Sequence, residues 1–157
     1  LEPGTSVSCI PGAEKMVAVD DKTWEGVIKQ KVGIISVKLQ FTQTFTEIDP
    51  PKHIKAVGRG SALGGMGTFT QESIVDLKEV AKDEVEISYK ANVSLVGRLA
   101  TFGERIMRAK IDSTSAEFTN NLANKLKEVQ KKRHRHLSLS RNEGLKEMKV
   151  TSRGRFN

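Results

Sequence analysis

Apolar and polar positions alternate along most of the first hundred residues, and the alternation then gives way to a longer period. The clearest alternating stretch is Ile34–Ile48. Ile35, Val37, Leu39, Phe41 and Phe45 share one parity, and Ser36, Lys38, Gln40, Thr42, Thr44 and Thr46 share the other. Such a pattern predicts a strand with one buried face and one wet face. Gln43 alone breaks the apolar parity. Similar reasoning predicts strands at Glu14–Asp20, Thr23–Val32, His53–Gly60, Met66–Val80 and Asp83–Leu95. Asp49-Pro50-Pro51 ends the longest of them, because proline gives up a ladder donor. Every connection is short, which predicts antiparallel neighbours.

From Gly97 to Lys131 the period becomes helical. Met107, Ile111, Phe118, Leu122, Leu126 and Val129 form one row, with Ser115 in the seven-residue step at its middle. Leu99, Phe102, Ile106 and Ala109 form a second row beside its first half. Only Gly103 interrupts an otherwise continuous helical pattern, which at about 1.5 Å per residue would run roughly 50 Å. A helix of that length must bury its apolar stripe on something, and the one-sided strands supply the surface. The expected fold is α+β, a curved antiparallel sheet of six or seven strands around one long C-terminal helix.

Charge divides the chain. Residues 1–130 hold 17 Lys and Arg against 17 Asp and Glu, whereas residues 131–157 hold nine against two. The net charge of +7 therefore sits in a tail on a neutral body, and it does not describe a nucleic-acid-binding domain. The expected division is a ligand-binding domain over residues 1–130 and a basic, mobile tail over 131–157. Cys9 is the one cysteine, which rules out an intrachain disulfide and reads as a small buried residue. No stretch of about 18 apolar residues is present to span a membrane as a helix. The chain starts with Leu and starts abruptly, in the turn-rich segment LEPGTSVSCIPGA.

Five short motifs bear a resemblance. Cys9-Ile10-Pro11-Gly12-Ala13-Glu14 resembles the CIPG segment of the G-subunit family of carbon monoxide dehydrogenase, in the START-like, helix-grip superfamily. Lys31-Val32-Gly33, Asp49-Pro50-Pro51, the Gly58–Gly67 stretch and Val96-Gly97-Arg98-Leu99-Ala100 follow in the same order, so that the resemblance covers residues 9 to about 126. It implies a helix-grip fold, a seven-stranded antiparallel sheet around a long helix with an apolar cavity between them. It also implies an accessory role to a molybdenum hydroxylase of the carbon monoxide dehydrogenase type, in maturation or membrane recruitment, and binding of a quinone- or lipid-like molecule. Relative to the family, the chain lacks a first strand and first helix, so one sheet edge is expected to be uncovered, open to a second copy, and one side of the cavity open.

The residues offer no nucleophile–base pair. His134 and His136 alternate with arginines, and no His, Asp and Glu cluster has metal-ligand spacing. The glycine-rich Gly58–Gly67 stretch precedes a strand rather than a helix, so it reads as a hairpin connection or a lip at a cavity mouth rather than a phosphate cradle. Neither a metal nor a cofactor is expected. The candidate cavity residues are Leu39, Phe41, Phe45, Met66, Phe69, Tyr89, Leu99, Phe102, Ile106 and Met107, with Gln43 and Tyr89 as the in-phase polar groups. Lys131, Lys132, Arg133 and Arg135 are the candidates for contact with a partner or an anionic membrane. The leading expectation is a non-enzymatic carrier of a lipophilic molecule, cytoplasmic or peripheral on the inner membrane face. A ligand-free protein–protein adaptor and a cyclase-like enzyme of the same superfamily are the alternatives.

Overall fold

The computed structural model describes residues 2–82, 84–138 and 149–154. Its core element is a meander of six antiparallel strands, β1 (Ala13–Ala18), β2 (Thr23–Val32), β3 (Ile35–Asp49), β4 (His53–Ala62), β5 (Gly67–Ala81) and β6 (Glu84–Val96), each paired with the next. The alternation seen in the sequence becomes register. Phe41 stands opposite Gly60, which stands opposite Phe69, which stands opposite Leu95. The inward parity of four successive strands therefore lies on one face.

After β6 the chain departs from the single helix expected from Gly97. Gly97–Phe102 form a 3₁₀ turn, and the α-helix spans Glu104–Ser138. Gly103 separates them with φ of +85°. That backbone region is costly for residues with a Cβ, so the helical pattern on either side of Gly103 cannot be one continuous helix. The break rotates the two rows relative to each other. Leu99 buries beside Val37 and Ala62, while Ile106 is 50% exposed and Ala109 is exposed. Preceding the sheet, Pro3–Val7 form a short helix, α1, where the sequence reads as turns. The long helix is α2.

The structure also places the chain's end differently from the expected division at residue 130. That boundary falls inside α2, which continues to Ser138, and Lys149–Gly154 add β7 beside β6. The seventh strand is thus parallel and follows the helix, unlike the antiparallel strand that the family resemblance implies. The rest of the tail, 139–148 and 155–157, lies outside the described residues.

The core forms where α2 crosses the concave face of the sheet. Phe118 and Leu122 meet Phe45, Ile54, Val75, Ile87 and Tyr89, and Val7 and Cys9 close the cluster from the α1 side. Tyr89 and Phe118 stack in a tilted pair with ring centroids 4.9 Å apart. Asn121 Nδ2 donates to the Cys9 carbonyl at 3.1 Å, tying α2 to the segment after α1. Burial pushes the Cys9 thiol up, which makes it an unreactive core group. A second cluster, Val37, Ala62 and Leu99 with Leu39, Met66, Leu95 and Phe102 against it, lies nearer the start of α2.

On the opposite face of the sheet, His53 bridges two strands. Its Nδ1 lies 2.5 Å from Asp76 Oδ1 on β5 and its Nε2 lies 3.3 Å from Glu47 Oε2 on β3. The hydrogen bond to Asp76 raises the imidazole above its ordinary value, with Glu47 adding to the effect. A group whose folded value is raised stabilises fully below its unfolded value, and that contribution disappears as pH rises through the folded value.

Two outcomes follow from this packing. Leu122, which has no exposed surface, should cost about 2–5 kcal/mol when replaced by alanine, measured by denaturant unfolding. Thermal melts should show His53→Gln losing stability relative to the parent at mildly acidic pH, with the difference shrinking as pH rises through the raised imidazole value.

Candidate functional site

Above the Phe118–Leu122 cluster, α2 and the sheet do not close against each other. The physical cause is a set of small residues that face one another there. On the helix it is Thr114 and Ser115, within the seven-residue step of the apolar row. On the sheet it is Ala56 and Gly58 of β4, Ser73 of β5 and Ala91 of β6. Two connected hollows result. The inner one has a volume of about 100 Å³ and runs from Phe45, Ile54 and Phe118 towards Ser6, Ile10 and Pro11. The outer one, about 140 Å³, is lined by Val32, Val37, Leu39, Val93, Leu95, Leu99, Met107 and Ile111. Ile28, Gln30, Phe69, Gln71, Tyr89, Thr114 and Ser115 border both. By the same measure a single water needs roughly 10–15 Å³, so each hollow exceeds a solvent-sized packing defect.

The two hollows differ in chemistry. The outer is mostly apolar, with Lys110 at its margin and Gln30, Gln71, Tyr89, Thr114 and Ser115 shared with the inner. The inner adds Ser6, Gln43 and Ser73 to those shared uncharged polar groups. Gln43 is only 5% exposed and borders the inner hollow. Its neighbours on the site wall are already engaged: Gln71 Nε2 donates to Ser73 Oγ at 3.5 Å, and Gln30 Nε2 donates to the Pro11 carbonyl at 2.8 Å. Burial pushes the Tyr89 phenol up to about 12, against the opposing pull of a hydrogen bond with Ser115. Tyr89 therefore stays a neutral hydroxyl, able to donate or accept, at any physiological pH.

Of the ten residues expected to line a cavity, Leu39, Phe41, Phe45, Phe69, Tyr89, Leu99 and Met107 border the hollows. Three do not. Met66 and Phe102 pack onto the Val37–Ala62–Leu99 cluster, and Ile106 turns outward because the break at Gly103 resets the helix phase. The side that was expected to be open is lined by Ser6, Ile10 and Pro11, while β1 remains an exposed edge strand. Lys131, Lys132 and Arg133 are exposed on α2 beyond Leu126, which packs against the inner cluster. Arg135 lies farther along the same helix. These four are thus at the far end of α2 from the outer hollow, which borders Met107 and Ile111. The small and polar wall residues Gln30, Gln71, Ser73, Thr114 and Ser115 escaped the sequence reading, although the long step around Ser115 was their trace.

A model of the CoxG family, the G subunit of carbon monoxide dehydrogenase, matches residues 2–127. The chain belongs to this family. Its match spans α1, the six-stranded meander and most of α2, and so contains every residue bordering the two hollows. CoxG membership supports an accessory role to carbon monoxide dehydrogenase. Among solved structures, a conserved protein from Geobacillus kaustophilus superposes with a TM-score of 0.66 at 20% identity, covering 78% of this chain and 79% of that one. At that identity the likeness concerns the fold, a START-like helix grip. No curated protein matches the chain. Among the described residues, no helix is long and apolar enough to cross a membrane.

Gln43→Leu provides a check on this geometry. Replacing an amide that borders the hollow by an apolar group of similar size should leave stability unchanged or raised by about 1 kcal/mol in denaturant unfolding, the opposite of the result for a hydrogen-bonded core amide.

Proposed function

We propose that the protein binds one slender lipophilic molecule between α2 and the sheet, and does so in the service of a molybdenum hydroxylase of the carbon monoxide dehydrogenase type. The observation that carries the reading is the gradation of the hollow, from a mostly apolar outer part to an inner part where Gln43 and Ser73 join the polar groups of Tyr89, Thr114 and Ser115. An apolar tail suits the first, and a carbonyl-bearing head suits the second. Gln43 donates through its amide nitrogen, Tyr89 donates through its hydroxyl, and neither brings a charge that the apolar walls would have to solvate. A quinone with a short isoprenoid tail has this polarity. The proposed ligand contacts are Phe41, Phe45, Phe69, Tyr89, Leu39, Leu99 and Met107, with Gln43 and Ser115 at the polar end.

No pair of side chains on these walls combines a nucleophile with a base, and binding needs none. The basic end of α2, at Lys131, Lys132, Arg133 and Arg135, is proposed as a contact for the enzyme partner or an anionic surface, separate from the ligand site. Its distance along the helix from the outer hollow makes the two roles independent.

Native mass spectrometry of the purified protein should show a co-purifying lipophile, and titration with a short-chain quinone should saturate. Thr114→Phe fills the space shared by both hollows, and should reduce quinone affinity by at least about tenfold while the melting temperature stays near that of the parent. Alanine at Lys131, Lys132 and Arg133 should leave quinone affinity unchanged. Absence of saturable binding in the parent protein would remove the carrier reading and leave the adaptor.

A further inference from the structure

The meander brings three chain segments to one end of the sheet. They are the β2–β3 turn at Gly33 and Ile34, the β4–β5 turn at 63–66, and the 3₁₀ turn with the start of α2. Leu63 N donates to the Lys38 carbonyl and Leu99 N donates to the Met66 carbonyl, each at 2.8 Å, which fixes the second segment between the other two. This end is the mouth of the outer hollow, since Val32, Val37, Leu95, Leu99 and Met107 border it.

The mouth is apolar where solvent-facing turns are ordinarily polar. Ile34 is 98% exposed, Val96 64%, Ile106 50% and Leu63 48%. Lys38 lies beside Leu63, so the β2–β3 hairpin carries Ile34 four residues farther out, about 13 Å at strand rise. Gly33, with φ of +62°, suits the first position of a tight two-residue hairpin turn, and a Cβ there would meet nothing within 4 Å. The turn thus fixes the backbone, and the residue after it is free to be polar. It is isoleucine.

Charge at this end is one-sided. Residues 31–38, 61–68 and 95–110 carry six Lys and Arg against one acid, Glu104, with Lys38 ion-paired to Glu14 of β1 at 3.0 Å, while the rest of residues 1–130 carry eleven against sixteen. The zero net charge of residues 1–130 thus includes a basic excess at the mouth, offset by acids spread over the rest of the body. At the opposite end the exposed Val19 and Val80 adjoin charges of both signs, Asp20, Asp21 and Lys22 in one turn and Lys78, Glu79 and Lys82 in the other. Isolated apolar residues on a surface are ordinary. Apolar tips within a skirt of cations, around the opening of an apolar hollow, are the complement of an anionic bilayer, whose headgroups attract the cations and whose acyl region accepts the tips.

We propose that the mouth docks onto an anionic lipid bilayer, with Ile34 and Leu63 entering the headgroup–acyl boundary and Lys31, Arg98, Arg105 and Lys110 resting on the phosphates. This orients the outer hollow towards the lipid and turns the opposite end, from which α2's basic terminus emerges, away from it. The contact is distinct from attachment through the tail and does not require that the hollow hold a quinone.

The test uses the full chain and phosphatidylcholine vesicles with and without phosphatidylglycerol. Ile34→Glu combined with Leu63→Glu should weaken flotation with the anionic vesicles by about tenfold or more, with an unchanged melting temperature because both side chains lie outside the core. Ile34→Trp places an indole at the tip, and brominated phosphatidylcholine in the anionic vesicles should quench it. The native Trp24 pairs with Ala18 and Gln43 near the other end of β2, and should stay unquenched as the internal reference. Alanine at Lys131, Lys132 and Arg133 should not abolish the tip quenching. The proposal is overturned if the double glutamate variant floats like the parent, or if vesicles bind while the tip indole stays unquenched, which assigns attachment to the tail. It is equally overturned if the parent binds no vesicles and the glutamate variant instead loses its grip on the partner enzyme, which makes the mouth a protein interface.

Discussion

One packing event governs this molecule: the seating of Phe118 and Leu122 of α2 against Phe45, Ile54, Ile87 and Tyr89 of the sheet. A meander of one-sided strands has an apolar face that it cannot cover itself, and a helix of this length has a stripe that it cannot bury itself. Each removes the other's exposed surface, and each large side chain so buried contributes roughly 1.5–3 kcal/mol. Asn121 to the Cys9 carbonyl and Gln30 to the Pro11 carbonyl then fasten the N-terminal segment over the same junction. The Cys-Ile-Pro-Gly motif thereby acquires a structural reason, because it is the wall between α1 and β1 that both side chains hold in place.

The seating is also what leaves space. Contact is tight in the half that carries Phe118 and Leu122, and tight again at Leu99 beside Val37. Between them the facing residues are Thr114, Ser115, Ala56, Gly58, Ser73 and Ala91, too small to meet. A gap flanked by two anchored regions cannot collapse without unseating one of them. Polar groups in the gap border its open space, as Gln43 does, or bond each other, as Gln71 and Ser73 do. The hollow is thus a consequence of where the large side chains end.

Much of this was legible in the chain. The six strand positions, their parity and the inward direction of Gln43 and Tyr89 follow from a period of two, which the backbone imposes locally. The helix row and the gap at Ser115 follow from a period near four. Family resemblance supplied the helix grip, and the family match agrees with it. The misplacements have equally local causes. Helical spacing from Phe102 points Ile106 at the cavity, yet Gly103 at φ of +85° breaks the phase between them. Met66 and Phe102 are apolar and near the mouth, but the Val37–Ala62–Leu99 cluster claims them first.

What the sequence determined alone, then, is which side chains face inward on each element, because alternation and helical spacing are properties of a single backbone segment. Only the tertiary structure decided what those faces enclose and how charge is distributed over the whole. The hollow depends on small residues from β4, β5, β6 and α2 meeting across a gap, and no one segment records that meeting. The basic, apolar-tipped mouth is likewise hidden in a body of zero net charge. It emerges because an up-and-down meander sorts alternate turns to opposite ends, gathering residues that are far apart along the chain.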